Sequence, residues 1–217
     1  MDMALSLDTA EISEIEEAAS WGVLGGVTTN PTLISRAGHA DPEIAIKKIC
    51  SIVDGPVSME CVSTDADGMY REGRVYSTWA PNVLVKCPCT PAGLAATHRL
   101  RADDIRVNMT LIFSPNQAIL AAKAGAKYVS PFIGRLDDMG QEGMQVIREI
   151  AEIFGNYDWD CEILVASIRH PLHVIEAARL GADIVTLPFD VLKKMTQHAL
   201  TDVGLKRFLD DWQKVPK

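Results

Sequence analysis

Eight times along this chain a short apolar run is followed by a segment with helical periodicity. The runs span residues 4–8, 25–31, 57–62, 83–86, 107–113, 126–130, 163–167 and 182–186, and most are rich in valine and isoleucine. They are too short for helices and read as buried strands. Strands alternating with helices dictate a parallel sheet with right-handed crossovers, and eight repeats predict closure into a (β/α)8 TIM barrel. The 217 residues fit one such barrel, because these folds run about 200–250 residues as a single domain. A single domain over 1–217 is therefore expected. Ala124–Ser130 echoes Leu180–Thr186 as a helix stop, a strand and a hydroxyl.

The intervening segments carry helix signals of differing strength. Thr9 is a candidate N-cap for a helix with Ile12, Ile15 and Ala19 on one face. Pro42 opens a helix in which Ile46, Ile49, Cys50 and Val53 align. Helices are also predicted over 66–78, 91–101 and 190–197. Ser114, Pro115 and Gln117 combine a cap, an N-terminal proline and a capping-box partner, and Gly125 stops that helix. Asp138 with Gln141 reads as a second capping box, starting a helix lined by Met144, Ile147, Ala151 and Phe154. Pro171 and Gly181 bracket another helix. An additional C-terminal helix over about 202–213 carries Leu205, Phe208, Leu209 and Trp212 as an apolar stripe that needs a surface to cover.

Composition narrows the partners. The residues are 47% hydrophobic and 23% charged, a globular balance. A net charge of −8 argues against nucleic acid or an anionic membrane, so an anionic substrate requires a local basic site. No apolar run approaches the ~18 residues of a membrane span, and no leader pattern opens the chain. The five cysteines are odd in number and scattered through apolar segments, which predicts reduced thiols in a cytoplasmic protein. Cys87-x-Cys89, His170 with His173, and Asp137–Asp138 lack the spacing or partners of metal sites, so no metal is expected. Nor is there a dinucleotide fingerprint or a P-loop.

The active site of a barrel lies at the carboxyl ends of its strands. Those ends supply Asp8, Thr28, Asn30, Glu60, Lys86, Asn108, Thr110, Ser130, Ser167 and Arg169. Asn108 with Thr110, and Ser167 with Arg169, are two apart and so are expected to point the same way along their strands. Lys86 closes an apolar strand, where it must pair, lose its proton or carry its amine out to water. A desolvated neutral lysine is a nucleophile that forms a Schiff base with a carbonyl. One amine, two carboxylates and several neutral hydrogen-bonding groups suit class I carbon–carbon chemistry, which needs no metal or organic cofactor. Arg135 and Arg169 suit a phosphate, with surface salt bridges as the competing reading.

The motifs Leu7–Ala10, Gly26–Ile34, Val107–Leu111, Ala121–Ala126, Tyr128–Asp138 and Ala166–Arg169 together resemble transaldolases. The likeness is to the short subfamily that includes fructose-6-phosphate aldolases, and it covers nearly the whole chain. The resemblance implies Lys86 as the Schiff-base lysine, Glu60 and Thr110 as managers of water and proton transfer, and Asp8 as the base for the hydroxyl beside the breaking bond. It implies that Thr28, Asn30, Asn108 and Ser130 hold a dihydroxyacetone unit, and that Arg135, Ser167 and Arg169 hold a phosphate. It further implies sugar-phosphate substrates, a place in the pentose phosphate pathway and a homo-oligomer, a pentamer or decamer joined through the last helix. Fructose-6-phosphate aldolases typically have glutamine where this chain has Glu60 and tyrosine where it has Phe132, which favours transfer over aldolase cleavage. A barrel that binds sugar phosphates with weak catalysis is the third reading, since Ser6, Cys87, Cys89 and Ser77–Ala80 depart from the family pattern.

Overall fold

The computed structural model describes residues 2–216; the expected span 1–217 adds Met1 and Lys217, which lie outside them. The chain opens with β1 (Ala4–Asp8), α1 (Ile12–Ser20), β2 (Gly26–Thr28), α2 (Pro31–Arg36), α3 (Pro42–Ile52) and β3 (Val57–Glu60). It continues with α4 (Ala66–Tyr76), β4 (Val83–Pro88), α5 (Pro91–Ala102), β5 (Val107–Ile112), α6 (Pro115–Ala124) and β6 (Tyr128–Pro131). Then come α7 (Ile133–Asp138), α8 (Gly143–Phe154), β7 (Glu162–Val165), α9 (Pro171–Arg179), β8 (Ile184–Leu187), α10 (Phe189–Thr196) and α11 (Ala199–Trp212). The eight strands close into a parallel barrel in sequence order, β8 pairing back onto β1. This is the (β/α)8 fold that the sequence predicts, with the additional C-terminal helix.

The core has two shells. Val27, Val57, Val129, Val165 and Val185 face outward under Ile15, Ile46, Ile49, Ile147 and Ile150 of the helices, all nearly or wholly buried. Inside the barrel, Leu84, Tyr128, Leu164 and Ile184 plug the lower end. Strand alternation then carries the residues two further along β4, β6 and β8, namely Lys86, Ser130 and Thr186, to the upper end.

Most helix signals hold. Ser114 accepts from the Gln117 amide, Thr90 from the Gly93 amide and Asp41 from the Glu43 amide, each before an N-terminal proline. Gly125 adopts φ 88, the left-handed stop that glycine takes without strain. Two caps are corrected. The first helix begins after Glu11, and the Thr9 hydroxyl instead accepts from the Glu11 amide and donates to Glu14. Asp138 is the last residue of α7 and begins no helix; α8 starts at Gly143, whose amide donates to Asp137 Oδ1 at 2.8 Å. The third strand stops at Glu60, short of the predicted Val62, because the Val62 and Ser63 amides turn to the carboxylate of Glu72 on α4. The fifth strand ends at Ile112 and the seventh at Val165, and the eighth is displaced to 184–187. The last helix begins at Ala199, three residues before the predicted start.

Candidate active site

The upper end of the barrel opens into a cavity of about 260 Å³. Nine of the twelve residues expected at a site line it: Asp8, Thr28, Asn30, Lys86, Ser130, Phe132, Arg135, Ser167 and Arg169. Of the other three, Glu60 and Asn108 each bond to a residue of this wall, and Thr110 lies two residues beyond Asn108 on β5. Glu60 pairs with Lys86, and Asn108 accepts from the Ser130 hydroxyl at 2.6 Å while its own amide reaches Ser58 at 3.4 Å. Thr110 is wholly buried, and its hydroxyl has no hydrogen-bond partner among the described residues.

Lys86 is 3% exposed, so its amine does not reach out to water. Register sets Glu60 opposite Lys86 on adjacent strands, and the ammonium lies 3.1 Å from the Glu60 carboxylate. It also donates to the Thr29 carbonyl at 3.3 Å and sits 5.8 Å from the centre of the Phe132 ring. A buried cation so placed is held by its partner carboxylate, and the partner is also the nearest proton acceptor. Asp8 occupies the opposite balance. Burial raises its pKa from the ordinary carboxylate value, opposed by the charge of Lys86, a hydrogen bond from Thr28 and the charge of Arg135. Thr28 is in register with Asp8 and donates to it at 2.8 Å.

The cationic rim comes from segments beyond the strand ends: Arg36 from α2, Arg135 from α7 and Arg169 from the loop after β7. Ser167 and Arg169 lie beyond the end of β7, and Ser167 adopts φ 62. Strand alternation therefore does not aim this pair, contrary to the sequence reading; a left-handed residue in the loop does, at a strain of about 1–3 kcal/mol. Gly134 lets α7 close onto that loop, because a Cβ there would meet the Ser167 carbonyl at 2.2 Å and Arg169 Nε at 2.5 Å. Arg135 and Arg169 both line the cavity. Arg169 is bonded to Asp138 at 2.6 Å, in the manner of the surface-bridge reading, yet both residues are half exposed and Arg169 still lines the cavity. Arg135 stacks over Phe132 at 4.8 Å with no carboxylate partner among the described residues. Asn30 caps α2 through its carbonyl, accepting from the Leu33 amide at 3.0 Å and leaving its amide NH2 for the cavity.

The sequence reading missed Thr32, Leu33, Arg36, Ala166 and Thr186, which also line the cavity. Arg36 rides on α2, a six-residue helix too short to show a period. Thr186 had a signal: the internal echo sets it in the place of Ser130. All five cysteines are free thiols. Among the described residues no group of three or more His, Cys, Asp or Glu side chains is placed to hold a metal ion. No described helix is long and apolar enough to cross a membrane.

Fold and site together define a (β/α)8 barrel with a buried lysine–carboxylate pair at the carboxyl ends of its strands and arginines at the mouth. The chain belongs to the transaldolase/fructose-6-phosphate aldolase family, whose model matches residues 5–217. A protein of Aquifex aeolicus named probable transaldolase is 58% identical over 99% of both chains. One of the same name from Caldicellulosiruptor saccharolyticus is also 58% identical, over 99% of each. Among solved structures, a 2,3-dimethylmalate lyase covers 100% of this chain and 86% of its own with TM-score 0.56 and 16% identity, a likeness of fold alone.

Proposed function

We propose that this protein is a transaldolase. It moves a dihydroxyacetone unit from a phosphorylated ketose, such as sedoheptulose 7-phosphate, to glyceraldehyde 3-phosphate, giving erythrose 4-phosphate and fructose 6-phosphate. The observation that carries this reading is the buried Lys86, paired with Glu60 at 3.1 Å in the wall of a cavity that Asp8 and Arg135 also line. Relatives of nearly the same length that are named probable transaldolases support it.

In this mechanism Glu60 accepts a proton from the Lys86 ammonium, and the neutral amine adds to the ketose carbonyl. Glu60 returns the proton as the carbinolamine loses water, and the buried Thr110 hydroxyl holds that water. Asp8 takes the proton of the hydroxyl beside the scissile bond as that bond breaks. The bonding electrons move into the protonated imine and leave an enamine on Lys86 while the aldose phosphate departs. The acceptor aldehyde enters, the enamine carbon adds to it, and Asp8 gives back its proton. Hydrolysis of the new imine frees Lys86 and the product ketose. Thr28, Asn30, Asn108 and Ser130 hold the three-carbon unit, and Arg135, Ser167 and Arg169 grip the phosphate. The chemistry calls for no metal or organic cofactor. The same reading sets the enzyme in the pentose phosphate pathway of the cytoplasm, where free thiols persist.

Aldolase release differs only in the fate of the enamine, which must be protonated on carbon and hydrolysed without an acceptor. Phe132 lies 5.8 Å from the Lys86 amine and offers no proton. Fructose 6-phosphate assayed with and without erythrose 4-phosphate tests the distinction. Glyceraldehyde 3-phosphate should form much faster with the acceptor present. Equal rates would replace transfer by aldolase cleavage.

A further inference from the structure

Thr186 is the next-to-last residue of β8, which neighbours β1; it lines the cavity and is 2% exposed. Its hydroxyl lies 2.7 Å from that of Thr28, which in turn lies 2.8 Å from Asp8 Oδ1. A threonine has one hydroxyl proton, and an ionised carboxylate can only accept. Thr28 therefore commits its proton to Asp8, and the contact between the two threonines is filled by the proton of Thr186. The direction of the chain follows: Thr186 donates to Thr28, and Thr28 donates to Asp8.

We infer that Thr186 is a positioning residue for carbon–carbon bond cleavage, locking Thr28 as a donor to one oxygen of Asp8 and leaving the other oxygen to take the substrate's hydroxyl proton. This rests on the reading of Asp8 as the base. Hydrogen bonds in series polarise one another, so donation from Thr186 strengthens the bond that Thr28 makes to the carboxylate. The charged groups around Asp8 are Lys86 from β4, itself paired with Glu60 of β3, and Arg135 from α7; Arg36 and Arg169 line the same cavity. Lys86 and Arg135 act on the Asp8 charge, but none of these groups is hydrogen-bonded to Thr28. Without Thr186 the Thr28 hydroxyl loses its donor, keeps its proton less firmly on Asp8 and can rotate away.

Thr186→Val keeps the shape and removes the donor; Thr186→Ser keeps the donor and removes the methyl. A bond that favours the charged carboxylate is weakened in the valine variant, so the Asp8 pKa rises and the acidic limb of the kcat profile moves to higher pH. For Thr186→Val we expect that upward shift, with kcat at neutral pH falling roughly tenfold, the scale of a hydrogen bond to a charged group. KM for fructose 6-phosphate should stay within about twofold, since phosphate contacts are untouched. Thr186→Ser should restore both the limb and kcat. Borohydride trapping of dihydroxyacetone on the lysine needs no bond cleavage and should be retained in both variants. An unmoved acidic limb in Thr186→Val overturns the inference, as does a serine variant that behaves like the valine one. Equal losses of trapping and turnover in Thr186→Val also overturn it, because they denote a general structural role. Failure of trapping in the unaltered protein would instead strike the Schiff-base reading itself.

Discussion

Two carboxylates of one cavity are set to different tasks by their surroundings. Glu60 is tied to a cation at 3.1 Å, whereas Asp8 is buried deeply enough that its pKa rises despite nearby positive charge. A base must be ionised to work, so activity should be lost as pH falls through the raised Asp8 pKa. The acidic limb of the kcat profile should accordingly lie above the ordinary carboxylate value of about 3.9, and an Asp8→Asn variant should lack cleavage at every pH. A limb at or below that value would remove Asp8 from the role. Arg135, free of any carboxylate among the described residues, is expected to carry more of the phosphate affinity than Arg169, which Asp138 holds at 2.6 Å. Arg135→Ala should weaken kcat/KM for phosphorylated ketoses by about 1.5–3 kcal/mol, and unphosphorylated ketoses far less. Equal losses for both would assign the arginine to structure. The positions of Asp8, Glu60 and Lys86 at one end were legible because a barrel sends its strand ends to one place, whatever the loops do. Arg36 and the aim of Ser167 were not, since a six-residue helix has no readable period and a left-handed backbone leaves no mark on a serine.

At the scale of elements, the helix start at Ser114–Pro115 was read correctly, because each residue satisfies a separate requirement of the first turn. Asn30–Pro31 carries the same pair but was read into a strand over 25–31, although that strand ends at Thr28 and α2 begins at Pro31. Asp138 and Gln141 mimic that pattern, yet the Asp138 side chain is held by Arg169 and the chain turns at Gly140, φ 77, before α8 begins. A spacing rule cannot see a side chain's tertiary partner. Ser114→Ala should lower stability by about 1 kcal/mol, read as a fall in Tm, with little change in kcat. Gly93→Ala should do more. Its Cβ would fall 1.9 Å from the Pro88 carbonyl at the end of β4, so α5 must shift off the strand that carries Lys86. A loss of about 1–3 kcal/mol is expected, together with reduced turnover. A Gly93→Ala protein with unchanged Tm and kcat would show that α5 does not brace the lysine strand.

For the whole molecule, the barrel was legible because its periodicity is repeated eight times and each repeat constrains the next. The destination of α11 was not, because an apolar stripe states a need and no address. None of its residues is buried: Leu205, Phe208, Leu209 and Trp212 are all more than half exposed. A stripe of this size is expected to be covered in a homo-oligomer. Deleting residues 199–217 should therefore lower the sedimenting mass to that of one chain while the barrel stays folded. A full-length protein that sediments as a monomer would contradict the assembly.

The most direct measurement is reduction with borohydride in the presence of fructose 6-phosphate, followed by peptide mass mapping. The reduced three-carbon adduct should fall on Lys86, and Lys86→Ala should lose both adduct and turnover. An adduct on Lys123 or Lys127, or on no lysine, would contradict the Schiff-base chemistry at the centre of this barrel.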